Sequence, residues 1–407
     1  LIIEVSEVRT MTVVVTQKHP ALADEVESAP QGGHRRKYRR RAVHRLHRTR
    51  IALAILGILL MAGAGVVRFV VLPEAAKLPV NTNTTNVYAG TARVLLNQAA
   101  LAPGSTAPLL LSNLPLQIKE TVQVLKANGS AAVVDYRVTD SAAGKSLPGM
   151  NNRYAVDRTT LAPSTLISGS GLTAVRGLTI SYPIPTQPRD YSGWMQDTGT
   201  TTMLRYAGTA TSVPSPTGTG SHALGFQAYV FEQKTPPTQI TDPQELASLP
   251  RSLPKAELPA LVARLKLPAS EIGGLGTAFA KLPSTVPLAY TYSARFTYWV
   301  APRDGVVVDL QATETRAVEF PASVLGVAVP IATVSEFVYT DTPGTLQARI
   351  LEAKNDSSAL TLAGTTVPLS ALIVGFVLLV TAVLLRRRGE GPRPESDQST
   401  PALVGNR

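Results

Sequence analysis

The sequence predicts a mainly β extracytoplasmic domain, a curved antiparallel sheet or sandwich, held between two transmembrane α-helices and interrupted by a short helical insertion. Three observations predict it. Two apolar runs, 51–72 and 367–385, lie near the two ends of the 407-residue chain. Between them, from Val87 to about Leu351, β-branched and aromatic residues alternate with polar ones and are bounded by Gly, Pro, Asn and Asp. A proline-punctuated stretch, 234–289, breaks that alternation with the helical patterns DPQELASL and PKAELPALVARLKLP.

Each apolar run is long enough to cross a hydrocarbon core of roughly 30 Å. Pro368 falls in the first turn of the second run, where a helix tolerates proline. Arg68 lies near the far end of the first, where a long side chain snorkels to the interface. The segment Ala62-Gly63-Ala64 has the small residues of a signal cleavage site, but the apolar run continues past it to Leu72.

Orientation follows from the basic flanks. Arg35, Arg36, Lys37, Arg39, Arg40, Arg41, Arg45, Arg48 and Arg50 precede the first run, whereas only Lys77 lies just beyond it. Arg386, Arg387 and Arg388 follow the second run directly, and Lys354 precedes it at a distance. Positive charge on the inside predicts both termini in the cytoplasm and 73–366 outside the cell membrane. Residues 1–50 then form a basic cytoplasmic tail. Residues 12–33 and 389–407, within the cytoplasmic segments 1–50 and 386–407, read as disordered.

The net charge of +11 belongs to these ends, because residues 73–385 hold 22 basic and 20 acidic residues. No basic surface for nucleic acid is expected in the body of the chain. Cysteine is absent, which excludes disulfides, thiolate metal sites, a cysteine nucleophile and a lipidated cysteine.

The strands are read at ETVQVLKA, AAVVDYRVTD, NRYAVDRTT, GLTISYP, TTMLRYAGTATSV, GFQAYVFEQ, YSARFTYWVAP, GVVVDLQATETRAV and TVSEFVYTDT. Arg303-Asp304-Gly305 is the turn of a hairpin, since Asp-Gly accepts the left-handed backbone of a tight turn. RYAVDRTT and TYWVAPRDG echo each other, as two ordinary hairpins or as a duplicated unit.

Candidate sites are few. Of His19, His34, His44, His47 and His222, the topology leaves only His222 outside, so no multi-histidine metal site is expected. GTGSHALG around His222 lacks both the nucleophile elbow of a hydrolase and the lysine of a phosphate loop. Asp135 with Asp140, and Asp304 with Asp309, flank two strands and are the only basis for a hydrolase with a carboxylate pair. No catalytic, metal or cofactor residue is assigned. In FTYWVAPRDG, period two places Trp299, Thr297 and Arg295 on one face and Phe296, Tyr298 and Val300 on the other. The second face is uniformly apolar and is expected to be core; the first is mixed and is expected to border a ligand groove.

RFVVLPEAAKLPVNTNTT, YAVDRTT, GLTISYPIPTQPRDYSGWMQDTGTTTMLRYAGTA and SARFTYWVAPRDGVVVD, in that order, resemble the actinobacterial PorA-like family, which carries the name porin PorA. The resemblance covers 51–385 and implies a role in handling envelope lipids. The YWVAPRDGVVV hairpin is similar to the W-V-D-x-x-T-G hairpin of periplasmic carriers of the LolA and LppX type, which implies a lipid-carrier-like sheet. The expected partners are the bilayer, an envelope lipid or glycolipid, and other envelope membrane proteins. A pore is the alternative implied by the family's name, although a transmembrane barrel needs repeated strands of about ten residues and no helical spans.

Overall fold

The computed structural model describes residues 34–389 except 103, 216–219 and 266–281. The expected disordered tails, 12–33 and 389–407, lie outside the described residues but for Gly389. The chain divides into two compact units, one of Leu1–Gly57 with Val377–Arg407 and one of Ile58–Phe376. Among its described residues the first holds helix only, the basic stretch 34–50 with the start of the first apolar run and the end of the second.

The second unit is built on thirteen described strands: β1 Asn83–Leu96, β2 Leu110–Asn128, β3 Ala131–Ala142, β4 Lys145–Ser146, β5 Met150–Asp157, β6 Tyr191–Met195, β7 Thr200–Pro214, β8 Ser221–Gln239, β9 Ser252–Pro254, β10 Thr285–Pro287, β11 Ala289–Val300, β12 Val307–Phe320 and β13 Val329–Asp341. Eleven of them form one antiparallel sheet in the order β4-β3-β2-β1-β13-β12-β11-β8-β7-β6, with β5 also on β3. Its two ends do not pair, so the sheet is open.

β1 was not among the expected strands, although it sits between β2 and β13. Its inward positions carry little apolar signal because the neighbours supply the bulk. Gly90 stands opposite Tyr339, and a Cβ there would lie 2.0 Å from the Val338 carbonyl oxygen. GLTISYP forms no strand; it makes one parallel bridge, Leu178 with Gly193, and then reaches the prolines at 183 and 185. The Arg303-Asp304-Gly305 turn is present, with Gly305 at φ +72° and the Asp304 carboxylate accepting from the Val306 N–H at 3.0 Å.

The insertion begins later than expected. Residues 234–239 continue β8, despite Pro236 and Pro237, because the ladder to β7 has ended at Gln233 and the ladder to β11 shifts register there. Prolines are tolerated where a strand has lost one neighbour. The insertion then holds α3 Pro243–Ala247 and α4 Leu258–Leu265, with β9 and β10 paired to each other.

Both apolar runs are helical. α1 His34–Val66 passes through a π-helical turn, Val67–Val71, into α2 Leu72–Ala75. After α5 Ala322–Leu325, α6 Pro343–Thr361 passes through a second π-helical turn, Leu362–Thr366, into α7 Val367–Gly389. The helices that contain a window apolar enough to span a membrane are Arg48–Ala75 and Pro343–Leu385, and in the second the apolar part follows the polar α6. Pro368 lies within a continuous helix rather than at its start. It has no N–H for the Gly364 carbonyl, and the Arg68 guanidinium donates to that oxygen at 2.7 Å. Arg68 is thus bound across to the other helix.

α6 begins with Thr342 accepting from the Thr345 N–H and Pro343 in the first turn. Leu346, Ile350 and Ala353 recur on one helical face and pack with Trp299, Ala301, Val308, Val213, Leu224 and Ala228. This helix therefore covers one end of one face of the sheet. The other face holds the largest core cluster, including Ile118, Tyr292, Phe296, Leu310, Phe337 and Tyr339.

Candidate functional site

The curved sheet, with the connections and helix beside it, lines an open cavity of about 830 Å³. Period two explains its lining. β2 contributes Ile118, Glu120 and Val122; β3 contributes Tyr136, Val138 and Asp140; β12 contributes Leu310, Glu314 and Arg316; β13 contributes Phe337 and Tyr339. β11 adds Tyr292, Phe296 and Tyr298. Acidic side chains outnumber basic ones on this surface, and tyrosines stand between them.

The polar groups form two clusters. Arg316 is held by Glu245 at 2.8 Å, Asp197 at 3.0 Å and Glu314 at 3.5 Å, and its guanidinium lies 5.1 Å from the Tyr292 ring centre. These acids come from α3, the β6–β7 connection and β12, so one arginine ties the insertion to the sheet. Burial pulls the Arg316 pKa down, but Glu245, Asp197 and Glu314 outweigh it and raise it above the arginine range. Burial raises Glu245 and Glu314, and Arg316 offsets part of that rise. Asp140 is pushed up to about 7, first by burial and then by the Glu314 charge.

In the second cluster Glu120 accepts from Tyr136 Oη at 3.0 Å, from Asn86 Nδ2 at 3.1 Å and from Tyr88 Oη at 3.3 Å. Burial raises its pKa against the pull of these donors. Asn86 in turn accepts from Arg349 on α6, which also pairs with Glu352 at 2.6 Å. Among the described residues four buried polar atoms on the cavity wall, Asp140 Oδ1, Thr179 Oγ1, Tyr182 Oη and Asp304 Oδ2, make no hydrogen bond in the protein, and a fifth, Arg316 Nε, has only its ion pair with Glu245. Burial pushes Asp304 up to about 7.

None of the residues assigned to a groove from sequence lines this cavity. Trp299 is 7% exposed and packed under α6, Arg295 is exposed and Thr297 half-buried. The cavity lies instead on the face of Phe296 and Tyr298, the face expected to be core. The helix covers only the Trp299 end of the mixed face, and the curl of the sheet places the cavity over the apolar one.

The carboxylate pairs are not brought together. Asp135 and Asp140, five residues apart on β3, point to opposite faces. Asp135 is buried between Arg137 at 2.6 Å and Arg153 at 3.1 Å. Asp304 belongs to the hairpin turn, while Asp309 lies near Asp341. Burial raises both, and the Asp309 charge raises Asp341 further. His222 is an exposed residue of β8 opposite Val213. Among the described residues no group of three or more histidines or acids is placed to hold a metal.

Glu120, Glu314 and Arg316 were missed in the sequence reading, although a signal for them exists. Glu120 keeps step with Leu116, Ile118, Val122 and Val124, and Glu314 and Arg316 keep step with Leu310, Ala312, Val318 and Phe320. Charges in phase with a buried face mark a polar interior.

The family model described as Porin PorA matches residues 50–384. No curated protein matches the chain.

Proposed function

The chain belongs to the porin PorA family, and from that footing we propose that it is a two-pass envelope membrane protein whose β domain holds an amphipathic lipid. The cavity carries this reading. Its volume of about 830 Å³ lies in the range of pockets that bury small organic ligands. Its wall joins apolar side chains to tyrosine hydroxyls and carboxyl groups, a surface for both parts of an amphiphile. Arg316 and Arg349 are already paired with acids, so an anionic headgroup would meet uncompensated repulsion. A hydroxyl-rich glycolipid headgroup would find acceptors, and Asp304 and Tyr182 would gain partners.

The basic flanks of the two apolar segments support both termini in the cytoplasm and 73–366 outside. Cysteines introduced singly at Thr12, Thr160 and Ser399 are expected to react with an impermeant thiol reagent in intact cells only at Thr160. Labelling at Thr12 would overturn this topology.

A pore is the second reading, favoured by the family description. Native mass spectrometry of the detergent-purified chain separates the two. A retained lipid of glycolipid mass is expected, without conductance in planar bilayers. Single-channel currents from protein that retains no lipid would defeat the lipid-holding role.

A further inference from the structure

The cavity reaches the place where the two helices leave their apolar segments. Ala75, the last residue of the first apolar stretch, lines it, and so do Ala359, Leu360 and Ala363 at the junction of α6 with its π-helical turn. Ala75 and Ala359 line the cavity and are also exposed, so the cavity meets the outer surface at both helices. At the same level the helices are pinned by Arg68 to Gly364, and a Cβ on Gly364 would lie 3.2 Å from the Leu72 side chain. Phe69, 80% exposed, turns a large apolar side chain outward on the helical segment that carries Arg68. Apolar surface of that kind suits hydrocarbon rather than water.

We propose that the cavity is loaded sideways, by a lipid that passes from the adjoining bilayer leaflet between Ala75 and Ala359 without crossing water. This rests on the reading that the cavity holds an amphipathic lipid. Alanines leave the passage clear of side chains beyond Cβ, and the Arg68–Gly364 bond keeps the two helices in register below it. Pro148 and Gly149, in the connection between β4 and β5, are also exposed and line the cavity, as are Pro79, Asn81, Asn83 and Asp356, and the β4–β5 connection marks a competing route from solvent.

Trp194 lines the cavity and reports on its contents through contact quenching. Two probes separate entry from binding: a brominated-chain glycolipid embedded in nanodiscs with the full chain, and a brominated short-chain monoglyceride dissolved below its micelle concentration. Ala75→Phe with Ala359→Phe is expected to slow quenching by the nanodisc lipid about tenfold or more. The soluble probe should still quench the double variant to the wild-type extent at saturation, which also shows that the variant is folded. Pro148→Phe is expected to leave the nanodisc rate unchanged. Wild-type rates from nanodiscs in the double variant, or slowing by Pro148→Phe instead, would overturn lateral entry while leaving the cavity reading intact. Wild-type protein quenched by neither probe would overturn the cavity reading and lateral entry with it.

Discussion

Replacing Arg316 by leucine is expected to destabilise the β domain by about 3–5 kcal/mol at pH 8, the usual cost of leaving buried charges without their partner. Glu245, Glu314 and Asp197 would then face one another across β12, with Asp140 nearby. The loss should shrink as the pH falls. Burial already raises Glu245 and Glu314 in the folded protein, and without Arg316 they rise further. Between the ordinary glutamate value and these raised values, the folded state binds more protons than the unfolded state, so stability increases on acidification. Denaturant unfolding of the detergent-solubilised chain at pH 8 and pH 5 checks this. A loss below about 1 kcal/mol at pH 8, the range of an exposed ion pair, would show that the cluster is solvated rather than buried. Arg316→Lys keeps the charge but not the fork that reaches three carboxylates, and should fall between wild type and leucine.

Trp299→Ala is expected to cost about 3–5 kcal/mol, as for a large buried aromatic whose neighbours cannot close the gap. The indole fills the seam between β11 and α6, against Leu346, Ile350 and Ala353. Its removal would loosen the helix that runs on into the second apolar segment. Tyr298→Ala should cost less, because the ring already borders open volume; it gives up the 3.0 Å bond to Gln233 and its contacts with Tyr182 and Phe296. Its larger effect is expected on lipid retention. Arg295→Ala should stay within about 0.5 kcal/mol of wild type, since that side chain is exposed. Thermal unfolding and native mass spectrometry of the three variants give the comparison. Trp299→Ala that keeps stability but loses lipid would restore the groove expected from sequence and remove the assignment to the cavity face.

The two apolar segments, most of the strands and the Arg303-Asp304-Gly305 turn were legible in the sequence by itself. Each depends on neighbours a few residues away: a run of hydrocarbon, an alternation of two, a glycine free to take φ +72°. The acid and arginine cluster was legible in half. That Glu120, Glu314 and Arg316 keep step with apolar residues is a property of single strands. That Arg316 meets Glu245, 71 positions away in the chain, depends on where α3 is laid against the sheet. β1 stayed hidden because its neighbours carry the bulk that its own glycine and alanines lack. Only the tertiary structure decided which face of β11 looks into the cavity. Period two sorts Trp299 from Tyr298, but α6 covers the Trp299 end of the mixed face while the cavity lies on the apolar one. The face is chosen by which elements pack there, through contacts between segments far apart in sequence, and no local pattern in FTYWVAPRDG contains that information.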